Sequence, residues 1–190
     1  MMNPINLFST WYKQYLGITV AKQPAACCLS TIGLDKFPNA RFVALKDITG
    51  KGFIVTGTLT SRKGKEISKS KNVALTFWWA ETEKQVRIQG EATLISSRLA
   101  DKYFAARKKD SQIVSTVSNQ GATLSDIDEL SDKYNTLDKS GKLIKRPPNW
   151  GGYLIKPVKI EFLAFKSNRF HDRSLYELKK GTWEHRKLQP

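Results

Sequence analysis

The sequence predicts a mainly β protein with peripheral helices, its strands forming a small antiparallel barrel. Three observations predict this. Short runs rich in β-branched and aromatic residues recur along the chain, turn-forming residues separate consecutive runs as in hairpins, and helical periodicity is confined to a few segments. The regular strand and helix alternation of a parallel sheet is missing, and closing a barrel removes most exposed strand edges.

Asn3 to Leu16 reads as a helix because Ile5, Phe8, Trp11, Tyr12 and Tyr15 recur at spacings of three and four, and Gly17 ends it. Ala25 to Thr31 and Ala40 to Asp47 are strands joined through the turn-like Gly33 to Asn39. Gly50-Lys51-Gly52 turns into a strand over Phe53 to Thr56, and Ser61 or Thr60 opens a helix running to Ser70. Val73 to Trp79 and Gln85 to Ile95 form the next hairpin across the polar turn Ala80 to Lys84. Ser97 caps a helix from Arg98 to about Lys108, a loop follows, and Ser125 caps a helix from Asp126 to about Leu137. Lys139 to Asn149, with Gly141, Pro147 and Pro148, is irregular. Tyr153 to Ile155, Ile160 to Phe165, Ser174 to Leu178 and Trp183 to Leu188 complete the strands, the last two joined by Lys180-Gly181. No internal repeat or low-complexity linker divides the chain, so residues 1–190 read as one domain.

The chain has 190 residues, 40% of them hydrophobic, and a net charge of +15 spread over its length, which attracts anions. The five tryptophans would allow base stacking, but no nucleic-acid recognition motif accompanies the charge, so no specific nucleic acid is expected. No apolar run is long enough to span a bilayer, and Met1-Met2-Asn3-Pro4 lacks the pattern of a secretory leader; a cytoplasmic protein is expected. Cys27 and Cys28 are adjacent, which suits neither an ordinary disulfide nor a metal site, and His171 and His185 lie far from any ligand spacing; no metal is expected.

Four groups carry possible chemistry. Arg41 and Lys46 lie five apart, which puts them on opposite faces of an undistorted strand. Thr60-Ser61-Arg62-Lys63-Gly64 follows a strand and starts a helix, where free backbone N–H groups, a hydroxyl and two cations converge on a phosphate, although a solvated cap explains it equally well. Tyr103, Arg107 and Ser111 recur every four residues and share one face if the helix continues through Asp110. In Arg169-Phe170-His171-Asp172-Arg173, a strand would align residues 169, 171 and 173 as a polar row suited to an anionic ligand.

These groups, with Asn3 to Trp11, Gln85-Val86-Arg87-Ile88-Gln89-Gly90 and Pro147-Pro148-Asn149-Trp150-Gly151-Gly152-Tyr153, occur in the order seen in the pyridoxamine 5'-phosphate oxidase family, which the chain resembles over nearly its whole length. The resemblance implies a split β-barrel homodimer that binds flavin mononucleotide (FMN) at the subunit boundary. It further implies that Arg41, Arg62, Lys63, Gln85, Gln120 and Arg173 bind the cofactor, and that Lys46, Tyr103, Arg107, Ser111, Arg169 and His171 bind a phosphorylated pyridine substrate. Arg169 and His171 are the implied catalytic pair, acting as positioners. The implied reaction oxidises pyridoxamine or pyridoxine 5'-phosphate to pyridoxal 5'-phosphate while molecular oxygen becomes hydrogen peroxide, a step of pyridoxine biosynthesis.

The chain departs from the family pattern at three places. Thr56-Gly57 stands where the family has Tyr-Thr, Gln120-Gly121 where it has Gln-Ser, and Leu163 where it has a tryptophan. Two alternatives remain open at this level: a related flavin oxidase acting on another aromatic metabolite, such as a phenazine precursor, and a flavin- or vitamer-binding protein without turnover.

Overall fold

The computed structural model describes residues 3–190; Met1 and Met2, cited above for the N-terminus, lie outside the described residues. Six strands close into a barrel: β1 (Ala26–Ile32), β2 (Pro38–Thr49), β3 (Gly52–Thr58), β4 (Asn72–Trp79), β5 (Lys84–Leu94) and β6 (Trp150–Ala164). They run in the order β3-β2-β1-β4-β5-β6, every neighbouring pair is antiparallel, and pairing of β3 with β6 joins the two ends. The long β6 pairs with β5 along most of its length. Its other edge is shared, the first half by β3 and the second by β7 (Asp172–Lys179), which turns into β8 (Thr182–Leu188). The sheet thus splits at β6 and leaves the β7–β8 hairpin outside the closed barrel.

Period-two alternation fills the interior with Leu29, Phe53, Val55, Leu75, Phe77, Val86, Ile88 and Ile155. Helix α1 (Pro4–Leu16) packs onto this core. Asn3 caps it by accepting from the Ile5 amide, and the buried Phe8 meets Phe53 and Phe77 edge-on at centroid distances of 4.7 and 4.9 Å. Full burial of a side chain of this size contributes about 1.5–3 kcal/mol. A second apolar cluster lies on the other side of β3 and β6, where α3 (Ser97–Ala105) packs Ala100, Tyr103 and Phe104 against Ile54 and Trp150.

Several boundaries differ from the sequence reading. Ser96, not Ser97, caps α3 by accepting from the Leu99 amide, and the helix ends at Ala105 rather than near Lys108. The expected loop after it contains another helix, α4 (Lys109–Val117), and the following α5 (Ile127–Lys139) is capped by Asp126 rather than Ser125. The two strands expected within 153–165 are one continuous β6; Pro157 sits at a bulge against Gly90, where a missing ladder donor does little harm. Arg169 has φ 65° and closes a turn with its amide on the Lys166 carbonyl, and β7 begins only at Asp172, so residues 169, 171 and 173 do not form one strand row.

Candidate active site

Helix α2 (Arg62–Lys69) positions the first group. Its opening turn lies so close to the preceding chain that a Cβ on Gly64 would overlap the Leu59 carbonyl, which explains a glycine there. Ser61 starts the helix without a side-chain cap; its hydroxyl donates to the Thr58 carbonyl and accepts from Lys63 Nζ at 3.1 Å. Lys63 Nζ also donates to Gln120 Oε1 at 2.9 Å. A Cβ on Gly57 would stand 3.3 Å from Lys63 Cε, so the glycine leaves room for this ammonium to lie against β3. Burial, and then the nearby Arg41 charge, holds the Lys63 pKa below the ordinary lysine value.

Glu66, fully buried, anchors this corner. Its Oε2 accepts from Thr31 Oγ1 at 2.5 Å and Arg41 Nη2 at 2.9 Å, and its Oε1 from Asn39 Nδ2 at 2.7 Å and Arg62 Nε at 2.9 Å. Burial alone would raise its pKa, but the bonds from Thr31, Arg62 and Arg41 outweigh that and hold it below the usual glutamate range. Arg62 also pairs with Asp35 at 2.8 Å. Sequence reasoning missed Glu66, although a carboxylate at i+4 from Arg62 was a visible signal.

The break between α3 and α4 places Arg107. Gln112 Nε2 donates to the carbonyls of Phe104, Ala105 and Arg107 at 3.0–3.2 Å, satisfying the exposed end of α3 where the chain leaves helical geometry. Arg107 then lies over the Trp150 ring, 5.1 Å from its centroid, with Nη2 donating to the Ser111 carbonyl at 3.1 Å and Ser115 Oγ at 3.2 Å. Its buried Nε has no partner, and burial lowers its pKa. The single helical face expected for Tyr103, Arg107 and Ser111 is therefore not formed, and Ser111 meets Arg107 through its main chain rather than its hydroxyl.

Arg41, Lys63, Arg107 and Gln120 line one cleft of about 400 Å³ with Phe42, Val43, Ala44, Thr56, Gly57, Thr58, Val114, Ser115, Ser118 and Trp150. Three cations and no carboxylate line it, so it suits a phosphate ester. Arg107, expected with the substrate set, shares this cleft with three residues of the cofactor set. Arg62 does not line it and is held instead by Glu66 and Asp35. Lys46 and Tyr103 meet beside the second apolar cluster, with Lys46 Nζ 5.5 Å from the Tyr103 ring centroid.

The remaining residues form a separate group. Gln85 on β5, Leu163 on β6 and Arg173 on β7 occupy one cross-strand row, beside Trp78 on β4. Arg173 is held by Glu161, its Nη2 donating at 2.7 Å. His171 packs against Phe165 with ring centroids 4.8 Å apart, and its Nδ1 accepts from the Lys166 amide at 3.1 Å. A neutral imidazole so held carries its proton on Nε2. Arg169 is exposed in the adjoining turn. None of Gln85, Arg169, His171 and Arg173 lines the cationic cleft. Among the described residues, no group of three or more His, Cys, Asp or Glu is placed to hold a metal, and no helix is long and apolar enough to cross a membrane.

A family model described as pyridoxamine 5'-phosphate oxidase matches residues 19–139, and one described as the pyridoxine 5'-phosphate oxidase C-terminal dimerisation region matches residues 150–190. The pyridoxine/pyridoxamine 5'-phosphate oxidase of Leptospira biflexa is 38% identical, the match covering 99% of this chain and 89% of that protein. That of Actinobacillus pleuropneumoniae is 39% identical, covering 99% and 90%. Among solved structures, PhzG from Burkholderia lata 383, in complex with tetrahydrophenazine-1-carboxylic acid, has a TM-score of 0.94 at 30% identity and covers 99% of this chain and 93% of that one.

Proposed function

Because this chain belongs to the pyridoxamine 5'-phosphate oxidase family and is an oxidoreductase of that family, we propose that it oxidises pyridoxamine or pyridoxine 5'-phosphate to pyridoxal 5'-phosphate with FMN as cofactor. The observation that carries this reading is the cleft, where Arg41, Lys63 and Arg107 converge without an opposing carboxylate in the lining. The residues present fit a flavin phosphate: Lys63, Arg41 and Gln120 supply its donors, and Gly57 keeps the Lys63 ammonium close to β3. FMN held by these residues would supply the redox chemistry, a hydride acceptor for the substrate C4' carbon that molecular oxygen would reoxidise with formation of hydrogen peroxide. Water completes the amine reaction and releases ammonia.

The protein orients and tunes. Lys46, Tyr103, Arg107 and Ser111 form the substrate phosphate side, while Arg169 and the Nε2–H of His171 offer donors to the pyridine ring. Gln85 and Arg173 serve the polar edge of the flavin, next to Leu163, whose aliphatic side chain offers apolar contact without aromatic stacking. These two groups lie apart within one chain, so the complete site requires a second copy, in keeping with the match of residues 150–190 to a dimerisation region. A second reading, oxidation of an unphosphorylated aromatic substrate, is favoured by one observation: the Tyr103 hydroxyl is already bonded to Asp47.

Spectral titration with FMN and with riboflavin tests the cofactor. Wild type should prefer FMN, and Lys63→Ala should remove about tenfold or more of that preference while changing riboflavin binding little. Phosphate takes its second charge near pH 6, so FMN affinity should rise through about that pH. It should fall again on the alkaline side as Lys63, with its lowered pKa, loses its proton. Sedimentation of the same samples should give a dimer. Failure of both flavins to bind saturably would rule the cofactor out, and a fully active monomer would rule out the shared site.

A further inference from the structure

Lys46 is an extra residue in the β2–β3 ladder: Leu45 pairs with Val55 and Asp47 with Ile54. Such a bulge re-aims the side chains around it. Here Leu45 stays in the barrel core, and Lys46 and Asp47 both reach Tyr103, which packs with Ile54 on the opposite side of the sheet. Tyr103 donates its hydroxyl to Asp47 Oδ2 at 2.7 Å, while Asp47 Oδ1 accepts from the Ile48 amide at 2.8 Å and holds the carboxylate in place.

We propose that Asp47 is a specificity-determining residue, which competes with the substrate phosphate for the Tyr103 hydroxyl and lowers the preference of the site for a dianionic group. This rests on the reading that Lys46 and Tyr103 face the substrate phosphate. A phenol has one proton to donate, so Tyr103 serves Asp47 or the phosphate, not both. Burial, and then the bond to Asp47, pushes the Tyr103 pKa up to about 12, so it remains a donor across the working range. The Asp47 carboxylate also repels a phosphate dianion, and Lys46 beside it offsets part of that charge. Asp47 is exposed, so its charge is screened by solvent, which makes it a competitor rather than a block.

The test is equilibrium titration of the FMN-reconstituted protein with pyridoxal 5'-phosphate and with pyridoxal. Wild type, Asp47→Asn, Asp47→Ala, Tyr103→Phe and the Asp47→Ala/Tyr103→Phe double variant form the set. Asp47→Ala should raise the ratio of phosphorylated to unphosphorylated affinity by roughly three- to tenfold. Asp47→Asn removes the charge but keeps an acceptor for the hydroxyl, so its gain should be smaller. In the Tyr103→Phe background the gain from Asp47→Ala should shrink, since no hydroxyl is left to release. An unchanged or lowered ratio in Asp47→Ala, with normal FMN content and measurable binding of both ligands, overturns the inference and leaves the proposed function standing. No binding of pyridoxal 5'-phosphate by any of the proteins overturns both.

Discussion

The Arg107 guanidinium is half-buried over Trp150 and belongs to the cleft lining, with Nη2 held by the Ser111 carbonyl and Ser115 Oγ. Arg107→Ala should weaken use of a phosphorylated substrate by roughly ten- to hundredfold, equivalent to about 1.5–3 kcal/mol, with a much smaller loss on the dephosphorylated analogue. Arg107→Lys should recover part of the loss, because lysine restores charge without the planar donor fork. Steady-state kinetics on the two substrates, beside FMN and riboflavin affinities, check this; a loss of FMN preference instead would assign Arg107 to the cofactor phosphate. The residue types were legible, since Arg41, Lys63, Arg107 and Gln120 do converge. Their reach was not. Four-residue spacing assumed an unbroken helix through Asp110, and the Gln112 amide that holds the break has no local pattern. Asp47 was missed because only the bulge at Lys46 turns it toward Tyr103.

Among the elements, α2 depends most on a single buried charge. Glu66 joins it to Thr31 on β1 and to Asn39 and Arg41 on β2. The folded-state pKa of Glu66 lies below the ordinary range, so the stability it contributes is present above that range and lost as pH falls through the depressed value. Glu66→Gln should lower stability at neutral pH by about 1–3 kcal/mol, since buried donors lose a charged acceptor. The gap should narrow as pH falls below the ordinary glutamate range and the wild-type carboxylate protonates. Urea unfolding midpoints at neutral and acid pH measure this, and parallel pH profiles would contradict it. Helix α1 and the hairpins were readable because apolar periodicity and turn residues agree there. Helix α4 was not: its first turn, Lys109-Asp110-Ser111-Gln112, is polar, it buries only Ile113, and the Lys108 side chain makes no capping bond. Pro157 concealed the continuity of β6, since a proline argues against a strand interior unless a bulge receives it.

At the scale of the molecule, antiparallel architecture followed from the strand and turn pattern, whereas closure through β3–β6 joins segments about a hundred residues apart and has no local signature. The barrel's outer face on β2, β1 and β4 carries small side chains, Ala40, Ala44, Cys28, Ser30 and Thr76, around Phe42, which is 80% exposed. Phe42 also lines the cationic cleft, so a second copy packed on this face would bring its own residues to the cleft edge. The most direct measurement is an anaerobic one: add pyridoxamine 5'-phosphate to the dimer loaded with FMN and follow the oxidised flavin absorbance. Bleaching of one flavin per site, with formation of an equal amount of pyridoxal 5'-phosphate and recovery of the oxidised spectrum when oxygen is admitted, is the predicted result. Stoichiometric FMN that stays oxidised at saturating substrate would contradict the account.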